Sequence, residues 1–174
     1  ATKTNARAPS QLAGTIRTDA GEPFTPSHAN KAGKRYRYYV SRPANGEAHA
    51  VNRRWRIPAG ELEGLVVRAV RDLLTDAREL RAILTAAGIA EIEQQAALDR
   101  AEQWAHQQPT MPEAERRAAL RAMLARIVIA EAGITITLAI PALLKTVAID
   151  VHGAAADATH DITMPGPSLA ASRP

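Results

Sequence analysis

The chain has 174 residues, 46% of them hydrophobic, no cysteine and a formal net charge of +4. That length allows one medium core, or a small core with an appended lobe. The lack of cysteine excludes disulfides and thiolate metal ligation. No apolar run approaches the roughly 18–20 residues that a membrane-spanning helix needs, and the start, Ala1 to Arg7, is followed by no hydrophobic segment of the secretory kind, so a cytoplasmic location is expected.

The charge is unevenly placed. Residues 1–58 carry eleven Lys and Arg against Asp19, Glu22 and Glu47, a net of +8, whereas residues 59–174 carry eleven against fifteen acids, a net of −4. The first third is therefore a basic module. Concentrated positive charge attracts phosphate backbones over about a Debye length, roughly 8–10 Å at moderate salt, which makes nucleic acid the first partner to consider.

Residues 1–11 hold too little apolar surface to pack and read as the remnant of a linker. From 12 to 58, turn formers interrupt the chain every few residues (Gly14, Gly21, Pro23, Pro26, Gly33, Pro43, Asn45-Gly46, Pro58), a spacing that suits short strands. The clearest strand runs from Arg35 to Ser41. Period-two geometry puts Tyr36, Tyr38 and Val40 on one face, expected to pack, and Arg35, Arg37, Tyr39 and Ser41 on the other, expected to meet a partner.

After Pro58 the period becomes helical: Leu62, Leu65, Val66, Ala69, Val70, Leu73 and Leu74 form a broad apolar stripe. Asp76 and Glu79 signal the cap of a second helix carrying Leu80, Ile83 and Leu84, which Gly88 ends. A third, from Ala90 to about Gln107, is more polar, with Ile92, Ala96 and Trp104 as its main apolar contacts. Thr110-Met111-Pro112-Glu113 supplies cap, proline and acid for a fourth through Ala119, Leu120, Met123 and Leu124. Gln107 to Met111 is the turn between these two.

From Ile127 the strand pattern returns. Ile127 to Ala130, a turn at Glu131-Ala132-Gly133, then Ile134 to Leu138 in strict alternation read as a hairpin with one wet face. Residues 146–151 are expected as a third strand. The expected fold is α+β, with a small antiparallel β-ribbon lobe over 12–58, a four-helix central segment over 59–126, a C-terminal β-hairpin and strand over 127–151, and a disordered tail over 152–174.

Four segments resemble, in order and in register, the region that follows the catalytic domain in large serine recombinases. They are Leu12-Ala13-Gly14-Thr15-Ile16, Thr25-Pro26-Ser27-His28-Ala29, Gly33 to Ser41, and Trp55-Arg56-Ile57-Pro58-Ala59-Gly60-Glu61-Leu62-Glu63. The similarity covers about residues 12–140. In most of that family the ribbon holds zinc between two cysteine pairs. Here the first turn reads Thr18-Asp19-Ala20-Gly21 and Ser41 follows the Tyr-rich strand, so the resemblance is to a metal-free branch and no metal or other cofactor is carried over. What it implies is a site-recognition module for double-stranded DNA in a protein of DNA recombination. The domain that cuts and rejoins DNA through a serine is not in these residues, so no catalytic residue is assigned.

The cations expected on phosphates are Lys31, Lys34, Arg35, Arg37, Arg42, Arg53, Arg54 and Arg56. Tyr39, on the arginine-bearing face, is the expected aromatic contact, while Tyr36, Tyr38, Trp55 and Trp104 are expected to pack. The group Asp150, His152, Asp157, His160 and Asp161 resembles a metal cluster superficially, but an Ala-rich tail gives it no scaffold. Two other readings fit the same residues: a protein-interaction module with an incidental basic face, and an RNA-binding ribbon. Residues 90–126, as an antiparallel helix pair, offer a surface for self-association or a packed lobe.

Overall fold

A computed structural model describes residues 10–42, 55–149 and 156–165. Strands β1 (Ile16–Thr18), β2 (Phe24–Lys31), β3 (Lys34–Ser41) and β4 (Arg56–Pro58) come first. Helices α1 (Ala59–Thr75), α2 (Ala77–Ala86), α3 (Glu91–Gln107) and α4 (Glu113–Met123) follow. Then come β5 (Leu124–Ala130), β6 (Gly133–Ala139), α5 (Ile140–Thr146) and β7 (Thr159–Pro165). The class is α+β, as expected, with a fifth helix beyond the expected four.

The basic segment forms a three-stranded antiparallel sheet in the order β2-β3-β4. Its first hairpin closes at Ala32-Gly33, both at positive φ (49° and 75°). This is the signature of a two-residue type I′ turn, whose twist matches that of the strands it joins. The turn fixes the register from Lys31 opposite Lys34 to Phe24 opposite Ser41. One strand leaves the ribbon altogether: β1 pairs in parallel with β5, Ile16 opposite Ile127, and forms one edge of a second sheet in the order β1-β5-β6-β7. The stretch 12–58 is therefore not a self-contained ribbon.

The apolar stripe of α1 buries Leu62, Val66, Ala69, Val70, Leu73 and Leu74. Asp76 stops α1 and starts α2, its Oδ1 accepting from the N–H groups of Arg78 and Glu79 at 3.0 Å each. The α2 C-terminus is a Schellman arrangement: Gly88 takes φ 79°, its N–H donates to Thr85 O, and the Ile89 N–H donates to Leu84 O. Helix α3 differs from expectation. Ile92 is 91% exposed and Ala96 is exposed, while Gln94, Ala97, Leu98, Ala101, Trp104 and Ala105 are buried. That face packs on α1 and α2 and joins three alanines with Gln94, Leu98 and Trp104. Thr110 does not cap α4; its hydroxyl donates to Gln107 O within the expected turn.

The β5–β6 hairpin forms as expected, with Ala130 opposite Gly133. Ile127, Ile129, Ile134, Ile136 and Leu138 all lie in the core. Two expectations fail beyond it. The chain enters α5 after Ala139, with Pro141 in the first turn where its missing N–H costs nothing, so no strand starts at Thr146. The segment expected to be an unanchored tail instead supplies β7, which pairs with the whole of β6 and rests Ile162 and Met164 against the core. The remainder of both expectations lies outside the described residues. Among the described residues, no helix is long and apolar enough to cross a membrane.

A candidate nucleic-acid interface on the three-stranded sheet

Alternation along β3 decides which side chains are available. The inward side carries Phe24 and Ser41, then Tyr39 and Ile57, then Arg37, in cross-strand register. Phe24, Tyr39, Ser41 and Ile57 are buried. The sequence divides into these same two faces, but their roles are exchanged: the Arg-Tyr-Ser face packs and the Tyr-Tyr-Val face is turned outward. The physical reason is that the type I′ turn brings Phe24 onto the same side as Tyr39, and Ile57 of β4 joins them. Those three bodies outweigh what Tyr36 and Val40 gain by burial.

Tyr39, expected as a contact residue, is therefore corrected to a core residue at 0% exposure. Its phenol oxygen accepts from the Leu12 N–H at 3.0 Å and donates to Glu63 Oε1 at 2.8 Å. Burial drives the Tyr39 ionisation well above the ordinary tyrosine range; the Glu63 carboxylate adds to the shift, while the Leu12 N–H and Arg37 oppose it. Arg37 spans the same carboxylate with two bonds, Nη1 to Oε1 at 3.3 Å and Nη2 to Oε2 at 3.0 Å. A bidentate pair of this kind commits the guanidinium to α1 and lowers its value for phosphate.

The outward side is differently stocked. It carries Lys31 and Lys34 at the turn, then Tyr36 opposite Ala29, Tyr38 opposite Ser27 and Pro58, and Val40 opposite Thr25 and Arg56. Arg42 follows, its Nε donating to Thr25 Oγ1 at 3.0 Å. None of the residues in register on this side is acidic. Ala29 and Ser27 are too short to cover the rings beside them, which leaves Tyr36 42% exposed. Arg56 reaches diagonally across the strands and lays its guanidinium 4.0 Å from the centre of the Tyr38 ring. At an exposed site such a cation–π contact contributes about 0.5–1 kcal/mol.

Lys31, Lys34, Arg35, Arg42 and Arg56 are all exposed. Arg35 lies on the α1 side of β3 but beyond Arg37, toward the turn. Arg53 and Arg54 lie outside the described residues. The structure thus brings four of the expected cations onto one open face with Tyr36 and Tyr38, two residues the sequence assigned to packing. The signal that finds them is the hairpin register: a two-residue loop at Ala32-Gly33 dictates the partner of Phe24, the single phenylalanine of the chain.

The other expected features take structural places. Trp104 is buried, and Trp55 packs at the margin of the core. His160 Nε2 lies 2.9 Å from Glu79 Oε1, and Asp161 Oδ1 accepts from the Thr137 hydroxyl at 2.6 Å. Asp150 and His152 lie outside the described residues. Among the described residues, no three His, Asp or Glu side chains are grouped to hold a metal ion.

Comparison with protein-family models, with curated proteins and with solved structures finds no match to this chain.

Proposed function

We propose that this chain is a non-catalytic DNA-binding module, the part of a serine recombinase-like protein that holds its DNA. The observation that carries the reading is the outward side of β2-β3-β4: Lys31, Lys34 and Arg56 in the strand register and Arg42 just beyond it, bonded to Thr25, with no acid among the residues in register there. A face of one sign raises the local concentration of a polyanion and speeds its capture. Cations that meet phosphates release condensed counterions, so binding tightens without any base being read. Hydrogen-bonded anchors such as Arg42 on Thr25 hold the charge in a fixed place, as expected where contacts to the backbone set orientation. The resemblance of about residues 12–140 to the post-catalytic region of large serine recombinases supports DNA over other polyanions and recombination as the setting.

The test is a shift assay on labelled duplex and single-stranded oligonucleotides at two salt concentrations. Binding should weaken steeply with salt. A variant with Lys31, Lys34, Arg42 and Arg56 all changed to Ala should bind far less and show a flatter salt slope, by about 0.7–0.9 for each phosphate that is no longer neutralised. Absence of salt-dependent binding to either form, or an unaltered slope in the variant, would overturn the reading.

A further inference from the structure

We infer that the outward side of β2-β3-β4 holds DNA as a single, unpaired strand, through stacking on Tyr36 and on the Arg56–Tyr38 pair. This rests on the DNA-binding reading and specifies the form of the ligand. A face built only to meet a duplex backbone needs cations and hydrogen-bond donors, and gains nothing from an open aromatic ring. Here the opposite investment is visible. Tyr36 leaves nearly half of its surface in water beside Ala29, although the other large apolar bodies among the described residues, Ile92 apart, are buried or half-buried.

Arg56 adds a second flat surface. With one side of its guanidinium over Tyr38 at 4.0 Å, its other side is a delocalised cationic plane of the kind on which unstacked bases rest. Tyr36 and Tyr38 are two residues apart on one strand, about 6.7 Å along it. Bases stacked in a duplex advance about 3.4 Å per step, so neighbouring platforms at twice that interval suit a strand whose bases have been drawn apart. Cations stand at both ends of the row, Lys31 and Lys34 at the turn and Arg42 at the far end. From Lys34 to Arg42 the chain runs about 27 Å, so the two platforms lie between the terminal cations.

A ribbon entering the major groove of a duplex would work differently. It reads base edges with long donors such as Arg, and contact with the flat faces of bases is closed to it while they remain stacked. Tyr36 and Tyr38 are the wrong groups for that task and the right ones for stacking.

The experiment measures affinity of the full chain for a short single strand, for the duplex of the same sequence, and for a duplex carrying an internal single-stranded gap. Each is titrated by fluorescence anisotropy against wild type, Tyr36→Ala, Arg56→Lys and Lys34→Ala. The single strand and the gapped duplex should bind more tightly than the intact duplex. Tyr36→Ala should weaken them roughly five- to hundred-fold, the equivalent of removing one base stack, with a much smaller effect on the intact duplex. Arg56→Lys keeps the charge and loses the plane, so it should behave like Tyr36→Ala. Lys34→Ala should weaken all three ligands about equally.

Tighter binding of the intact duplex, or an unchanged single-strand affinity in Tyr36→Ala, would overturn the inference while leaving the DNA-binding reading in place. Absence of binding to every ligand overturns both. Far-ultraviolet circular dichroism of each variant, matching wild type, shows that the changes in affinity do not come from misfolding.

Discussion

Tyr39 donates a 2.8 Å hydrogen bond to Glu63 Oε1 while its oxygen accepts from the Leu12 N–H, so one phenol joins strand β3, helix α1 and the segment leading into β1. Removing only that oxygen leaves a buried backbone N–H unpaired and deprives Glu63 of a donor. Tyr39→Phe should therefore lower stability by about 1–3 kcal/mol, the cost of stranding a buried polar group, while Tyr36→Phe should change it by less than about 0.5 kcal/mol. Urea unfolding of both variants checks this; equal effects would mean that the Tyr39 network contributes little.

The same phenol makes stability depend on alkaline pH. Below the ordinary tyrosine value of about 10 the folded and unfolded chains both hold this proton. Above it the unfolded chain releases the proton, whereas burial keeps Tyr39 protonated in the folded chain. The unfolded state is then favoured, and stability should fall as pH rises above about 10. Thermal melts of wild type and Tyr39→Phe across that range should converge, because the variant is weaker at neutral pH but lacks this component of alkaline loss.

Among the described residues, two alanines occupy left-handed backbone positions. Ala32 (φ 49°) sits in the β2–β3 turn, and Ala148 (φ 57°) follows α5, with its N–H donating to Lys145 O and the next N–H, that of Ile149, to Leu144 O. A Cβ is unfavourable in both places, as the glycines at 33 and 88 illustrate. Ala32→Asn and Ala148→Gly should each raise stability by about 0.4–1 kcal/mol. An unchanged unfolding midpoint in both would contradict the assigned turn conformations.

At the α1–α2 junction, Asp76→Ala removes the acceptor for the Arg78 and Glu79 N–H groups. The expected loss, read by urea unfolding, is about 0.5–2 kcal/mol. Asp76→Asn should recover most of it, since the amide oxygen accepts the same bonds.

Much of this fold is legible in the residues. The stripe from Leu62 to Leu74, the cap at Asp76, the stop at Gly88 and the alternation from Ile127 to Leu138 all report local geometry, which is what a sequence encodes most directly. The errors lie where partners distant in sequence decide. Nothing near Ile16 indicates that it pairs with Ile127. Thr159 to Pro165 is a strand because β6 presents an open edge to it. Ile92 looks like a core residue, but α3 turns the face of Gln94, Ala97, Leu98, Ala101, Trp104 and Ala105 inward and leaves Ile92 in water. At the candidate site, the cations are legible as charge and the two faces of β3 as alternation. Which face is covered depends on Phe24 and Ile57 arriving from neighbouring strands.

The pairing of β1 with β5 also sets an order of assembly. As the chain emerges from a ribosome, the basic sheet can close its local hairpin early, within the first part of synthesis. Residues Ile16–Thr18 must then wait, with their edge unsatisfied, until the strand that ends at Ala130 has been made and can receive them. Contacts so far apart in sequence carry the largest loop-closure cost and form late. The basic face itself also waits on later residues, because Arg56 and Ile57 of β4 complete the sheet and Glu63 of α1 holds its inner side, and a two-stranded hairpin alone is only marginally stable.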